Sequence, residues 1–287
     1  MNTLKTFILM MVLSMLLLII GAAIGGQVGV IIALIFALAM NFGAYWFSDK
    51  IALSMTKSHP ITEHDDPELY GIVREQARLA GLPMPKVYEI DTESPNAFAT
   101  GRSPKNAAVA VTTGIRRILN RDELSAVLAH EMAHVGNRDT LIMAVVASIA
   151  GAISMLAFMA QIAAIFGSFG GSSDDDDRGG NIIGLLIIAI VMPIAAALVR
   201  AAISRTREFQ ADATGAHTCG NPLALASALQ KLERGSEARP MKVAEGASHL
   251  FIVNPLKGAN LANLFSTHPP TAERVHRLTS MDIRPKF

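Results

Sequence analysis

Residues 120–136 read NRDELSAVLAHEMAHVG. Asn120 can cap a helix, and Glu123, three residues on, is placed to close a capping box. Leu124, Val127, Leu128 and Met132 supply an apolar face, and Gly136 ends the run. The spacing predicts one helix. On it His130 and His134 stand at i and i+4, a turn apart on the same face. Their imidazoles can therefore reach one metal ion. Glu131 sits one residue round, beside such an ion rather than on it, where it can take a proton from a bound water. A pair of exposed histidines on a polar face is the plainer reading of the same residues.

A catalytic zinc site uses three protein ligands and keeps one position open. The best-placed third ligand is Glu208, within RTREFQAD at 205–212. Asp212 lies at i+4 from Glu208 and can hold a ligand histidine through its second ring nitrogen. Spacing alone equally allows a solvated carboxylate at either position.

Further out the chain turns apolar. Of its 287 residues 51% are apolar and only 17% charged, below the quarter usual for soluble chains. Four runs free of ionisable side chains stand out, at about 7–24, 28–47, 141–166 and 182–199. Each is close to the length that spans a hydrocarbon core. Lys5 and the small residues 21–26 also fit a signal peptide, but the next apolar run follows at once and favours a helical hairpin. Of the 25 Lys and Arg residues, only Arg178 lies between the third and fourth runs, and none between the first and second. The positive-inside bias then puts both termini and the central segment in the cytoplasm. The acidic run Asp174–Asp177 faces out; it offers oxygens to a hard cation such as calcium, but without regular spacing it reads as a solvated loop. A net charge of +1 gives no footprint for nucleic acid. The lone Cys219 can form no internal disulfide.

These runs divide the chain into a first membrane hairpin (1–48), a catalytic segment with the histidine helix (49–140), a second hairpin with a short acidic outer loop (141–199) and a catalytic segment with the third ligand (200–287). The two water-facing segments are expected to pack together. In the first, Asp66 is a helix cap with Pro67 at the first helical position, and Gly81 and Pro83 stop that helix. Three β-like stretches follow, at 86–90, 97–100 and 107–112, the last two joined by a turn over 101–106.

Taken in order, His130-Glu131-x-x-His134, Glu208-Phe209-x-Ala211-Asp212 and Thr267-His268-Pro269-Pro270 resemble the HtpX family of membrane-bound zinc metalloproteases, relatives of the CAAX-prenyl endopeptidases. The resemblance extends over nearly the whole chain. It implies a mainly α membrane protein, with four transmembrane helices and a zincin-like α+β cytoplasmic metalloprotease domain that has a small sheet. It implies one Zn2+ per chain on His130, His134 and Glu208, with Glu131 as base and His268 stabilising the oxyanion. It implies residence in the bacterial inner membrane and the cleavage of misfolded or damaged membrane proteins at the cytoplasmic face, in quality control and stress response. Residues 94–99, with Asn96 and Ala97, are similar to the family's substrate-binding edge strand, though they also read as an ordinary turn and strand. Arg274 reads first as a solvated helix charge and second as a partner for a carboxylate near the metal. His59, His64, His217, His249 and His276 have no ligand spacing and read as surface or packing residues. The rival readings are a zinc carrier or sensor, which charge-free spans disfavour, and a non-proteolytic membrane chaperone with a vestigial site.

Overall fold

Helix α1 (Asn2–Trp46) carries both N-terminal apolar runs. A straight helix would hold Phe7 and Tyr45 roughly 57 Å apart at 1.5 Å per residue, yet their rings stack with centroids 6.4 Å apart. Asn41 Nδ2 likewise donates to Ser14 Oγ at 2.7 Å. The chain doubles back at Gly26, whose φ of 56° lies in the left-handed region open to glycine. Beside the bend, a Cβ on Gly29 would fall 2.0 Å from the Gly21 carbonyl oxygen, so only glycine allows the two arms to close. This is the helical hairpin expected from adjoining apolar runs.

The computed structural model describes residues 2–143, 145–146, 205–241, 243, 245–254 and 269–282. Among these, one helix, Gly26–Trp46, is long and apolar enough to cross a membrane, with 21 residues and a mean hydropathy of 2.1. Its Ile31, Ile32, Ile35 and Leu38 are between 58% and 64% exposed, a surface suited to lipid rather than water. Of the four expected spans this is the one seen at full length. The first arm's apolar helix is shorter, Thr6–Ile19. The third and fourth spans, apart from 141–143 and 145–146, lie outside the described residues, as does the acidic loop.

After the hairpin come α2 (Ser48–Met55), β1 (His59–Pro60), α3 (Pro67–Leu79), β2 (Lys86–Ile90), β3 (Ala97–Thr100), β4 (Ala108–Thr112), α4 (Thr113–Ile118) and α5 (Arg121–Gly136). The later segment supplies α6 (Arg205–Cys219), α7 (Pro222–Ala238) and α8 (Thr271–Thr279). The helix starts follow their caps. Asp66 accepts from the Leu69 amide at α3, and Asn120 and Glu123 close a full capping box at α5. Asn221 and Pro222 open α7 in the same way.

The four strands lie in the order β1-β2-β4-β3, with β2 parallel to β4 and the outer pairs antiparallel. Strand β3 is therefore an edge. Alternation sorts its residues and those of β4 between two cores. Ala97, Ala99, Val109 and Val111 join Leu69, Leu128, Met132, Leu225, Leu229 and Leu278 on one face. Phe98, Ala108 and Ala110 join Leu53, Ile142 and Phe251 on the other, where Phe98 and Phe251 meet edge to face. The first core draws on residues from Ile61 to Val135 and from Ala216 to Leu278, so the two water-facing segments share one interior. Each fully buried leucine there contributes about 1.5–3 kcal/mol. Strand β1, two residues long, is too short to leave an alternation in the sequence.

Candidate metal centre

Helix α5 lies inside the molecule. Every residue from Ala126 to Val135 is buried, the two histidines included. What brings carboxylates to them is the crossing of α6, and the closest approach is at Gly215. A Cβ there would sit 2.8 Å from the backbone nitrogen and Cα of His130. With no side chain at Gly215, α6 lies against α5. Its earlier turns then present Asp212 and Glu208 to the histidines.

His130, His134 and Glu208 converge, with potential ligand atoms all within 4.8 Å of one another. The two Nε2 atoms are 3.2 Å apart. Glu208 oxygens lie 3.9 Å from His130 Nε2 and 3.5 Å from His134 Nε2. The outer nitrogens face other carboxylates. His130 Nδ1 is 3.0 Å from Asp212 Oδ1, although its N–H is not aligned on that oxygen. His134 Nδ1 is 3.1 Å from Asp139 Oδ2. Carboxylates at both Nδ1 atoms keep the protons there, so both Nε2 lone pairs aim inward beside Glu208. Two lone pairs and a carboxylate in one dry spot repel each other unless a cation lies among them. Two imidazoles and one carboxylate are also the donor set of many catalytic zinc sites. The residues fit the metal.

The surrounding charge agrees. Glu131, Glu208, Asp212 and Asp139 are all 3% exposed or less. Burial pushes the Glu131 carboxyl up to about 7, helped by Glu208 and opposed by His134 and the Ala99 N–H. His130 is lowered to about 4 by burial, against the pull of Asp212, which keeps it in the neutral form that ligates metals. His134 goes the other way. Burial would lower it, but Glu208 and Asp139 outweigh that and raise it to about 9. The flanking carboxylates thus favour positive charge at this point, proton or metal.

Arg274 overturns its first reading as a solvated charge. It is 1% exposed and grips Asp212 with two bonds, Nε to Oδ2 at 2.8 Å and Nη2 to Oδ1 at 2.7 Å. Its Nη1 donates to the Ile252 carbonyl at 3.0 Å. Arg274 and Leu278, four apart and so on one face, are the two buried residues of α8. The pair holds Asp212 ionised against its burial. Asp139 carries no ligand or helix spacing in the sequence that marks it for the site. It follows Arg138, whose φ of 59° turns the chain so that Asp139 comes back beneath His134. Arg207 Nη1 lies 3.7 Å from Asp139, so each histidine is backed by a carboxylate and each carboxylate by an arginine.

Asn96 and Ala97 lie at the edge strand, but their polar groups are occupied. Asn96 Nδ2 donates to the Val253 carbonyl at 2.9 Å, and the Ile252 amide donates to the Ala97 carbonyl at 3.1 Å. The next outward amide of β3, on Ala99, reaches Glu131. His268 lies outside the described residues; Pro270 caps α8 just beyond it. His59 is on the surface as expected, between Glu89 at 3.9 Å and Asp91 at 3.8 Å.

Comparison with known proteins places this geometry. The profile of peptidase family M48 matches residues 63–282. The chain is 54% identical to a protease HtpX homolog of Syntrophotalea carbinolica over 284 residues, 99% of this chain and all of that one. It is 53% identical to the homolog of Thermococcus kodakarensis, across 96% and 94% of the two chains. Its fold is similar to the crystal structure of S. mikatae Ste24p, with a TM-score of 0.50 at 22% identity, covering 86% of this chain and 57% of that longer one. The chain belongs to peptidase family M48, among the HtpX protease homologs.

Proposed function

We propose that this chain is a membrane-embedded zinc endopeptidase that cleaves misfolded or damaged membrane proteins at the cytoplasmic face of the inner membrane. The observation that carries the reading is the buried convergence of His130, His134 and Glu208 with Glu131 beside them. His130, His134 and Glu208 would hold the zinc. When bound, zinc supplies Lewis acidity and makes a nearby water easier to deprotonate.

The remaining work falls to the chain. Glu131, with a carboxyl near neutrality, takes a proton from the attacking water and passes it to the leaving amide nitrogen. The Ala99 N–H fixes the orientation of that carboxylate. Asp212 and Asp139 hold the two imidazoles by their outer nitrogens. His268 would donate to the developing oxyanion, the role that the resemblance of its Thr-His-Pro-Pro motif implies. The edge of β3 at Asn96 and Ala97 would take an extended peptide by main-chain pairing, and a substrate bonding there has to displace the Ile252 amide.

The test uses wild type and Glu131→Gln purified in detergent, stripped with chelator and reloaded with zinc. Wild type is expected to cleave an unfolded protein such as casein. Glu131→Gln is expected to retain zinc and lose roughly 10²–10⁴-fold in rate. Zinc binding by both with cleavage by neither would favour a non-proteolytic chaperone.

A further inference from the structure

At the end of the membrane-crossing arm, Trp46 and Phe47 border a cavity of about 530 Å³. Its walls come from three places: the helix end at Phe42 and Trp46, the start of α2 at Asp49 and Lys50, and the sheet side, with Lys86 at the start of β2 and Arg102 in the turn after β3. The aromatic side is open. Phe42, Trp46 and Phe47 are 59%, 44% and 44% exposed, and they continue the exposed apolar face of the helix through Leu38. Aromatic rings at a helix end of this kind lie at headgroup level.

The other side is cationic. The Arg102 guanidinium sits 4.6 Å over the Trp46 ring, and its Nη1 donates to the Trp46 carbonyl at 3.2 Å. Lys50 Nζ is 5.5 Å from the centre of the Phe47 ring. Among the described residues no carboxylate forms an ion pair with Lys50, Lys86 or Arg102, and Asp49 is the one acidic side chain in the lining. Three cations facing one carboxylate, on an apolar wall continuous with the membrane surface of a helix, suit a ligand that is anionic at one end and hydrocarbon at the other.

We propose that this cavity binds the headgroup phosphate of an anionic phospholipid, with the acyl chains lying along the Gly26–Trp46 arm. A soluble phosphate compound would satisfy the cations but leave the aromatic wall in water. Basic pockets beside membrane helices recognise headgroups on the same grounds. Arg102 belongs to the turn between β3 and β4, and the neighbouring Gly101 carbonyl accepts from Thr140 Oγ1 at 2.8 Å. A bound headgroup would therefore tie the end of the edge strand to the bilayer surface. The inference does not depend on the metal site.

Trp46 is the single tryptophan of the chain, so its fluorescence reports on this cavity directly. The full-length protein would be reconstituted into phosphatidylcholine bilayers with increasing fractions of phosphatidylglycerol brominated high on its acyl chains. A parallel series would use phosphatidylcholine brominated in the same way. The brominated phosphatidylglycerol is expected to quench Trp46 at a several-fold lower mole fraction. Lys86→Gln, whose side chain bonds to nothing else among the described residues, should lower that preference about fivefold, and Lys50→Gln and Arg102→Gln by a similar factor each. Equal quenching by both lipids, or a preference unaltered in the triple variant, would overturn the proposal. So would quenching by neither lipid. Loss of the preference in millimolar inorganic phosphate would reassign the cavity to a soluble ligand.

Discussion

At the scale of single residues, the site rests on two relays that run outward from the histidines. His130 leads to Asp212 and Arg274, and His134 leads to Asp139, with Arg207 beyond it. Carboxylates in this position set the tautomer and raise ligand basicity. Asp139→Asn is accordingly expected to weaken zinc binding about 10–100-fold in a competition titration against a chelating dye, with the fold intact. Unchanged affinity would detach Asp139 from the metal centre. Glu131 makes a second prediction. Its carboxyl is raised to about 7 by burial, with Glu208 adding to the effect. A buried acid whose pKa rises on folding costs stability above its unfolded value near 4.3. The cost grows as pH climbs from that value through 7 and is absent below it. In zinc-stripped protein Glu131→Gln should therefore be more stable than wild type at pH 8, on the order of 3 kcal/mol, with the gap closing by about pH 4. A gap that is constant with pH would mean that the Glu131 carboxyl has the same pKa in the folded and unfolded states.

At the scale of elements, the decisive contact is the crossing of α5 and α6. From Ala126 to Val135 α5 is buried all round and has no solvent face, which is why it carries Leu, Val, Ala and Met around its circumference rather than on a stripe. Its partner reaches it only because Gly215 leaves room over His130. Gly215→Ala puts a methyl 2.8 Å from backbone that cannot yield locally. The helices must separate, at a cost of about 1–3 kcal/mol. The expected result is a lower midpoint in thermal unfolding together with weaker zinc binding, because Glu208 and Asp212 retreat with α6. A drop in stability with zinc affinity unchanged would show that the crossing supports the fold but does not set the ligand geometry. The N-terminal hairpin uses the same device, with glycines where backbones touch.

At the scale of the molecule, the two water-facing segments close one core, and the metal centre lies where α5 of one meets α6 of the other. A ligand that binds only the assembled site stabilises the whole cooperative unit. At a zinc concentration a hundred times its dissociation constant the gain is about 2.7 kcal/mol, or roughly 4–5 °C in Tm for a chain of this size. Chelation should lower Tm by that amount in wild type and leave a Glu208→Ala variant unmoved. An equal response in both would exclude Glu208 as a ligand.

The histidine helix, its cap, the α3 boundaries and three of the four strands were legible in the sequence because local rules act over a few residues. Capping needs Asn120 and Glu123 only, and the i, i+4 pair needs one turn of helix. The first hairpin was legible from two adjoining apolar runs. Glu208 could be named as a ligand, but not located, since 73 residues separate it from His134 in the chain. What only the tertiary structure decided are the long-range pairings. Arg274 reads as surface until α8 folds against α6 and the Ile252 carbonyl. Asp139 reads as loop until Arg138 turns it beneath His134. Gly215 carries no chemistry of its own. In each case the deciding term is burial: a charge far along the chain becomes part of the site only when packing removes its water and leaves one partner within reach.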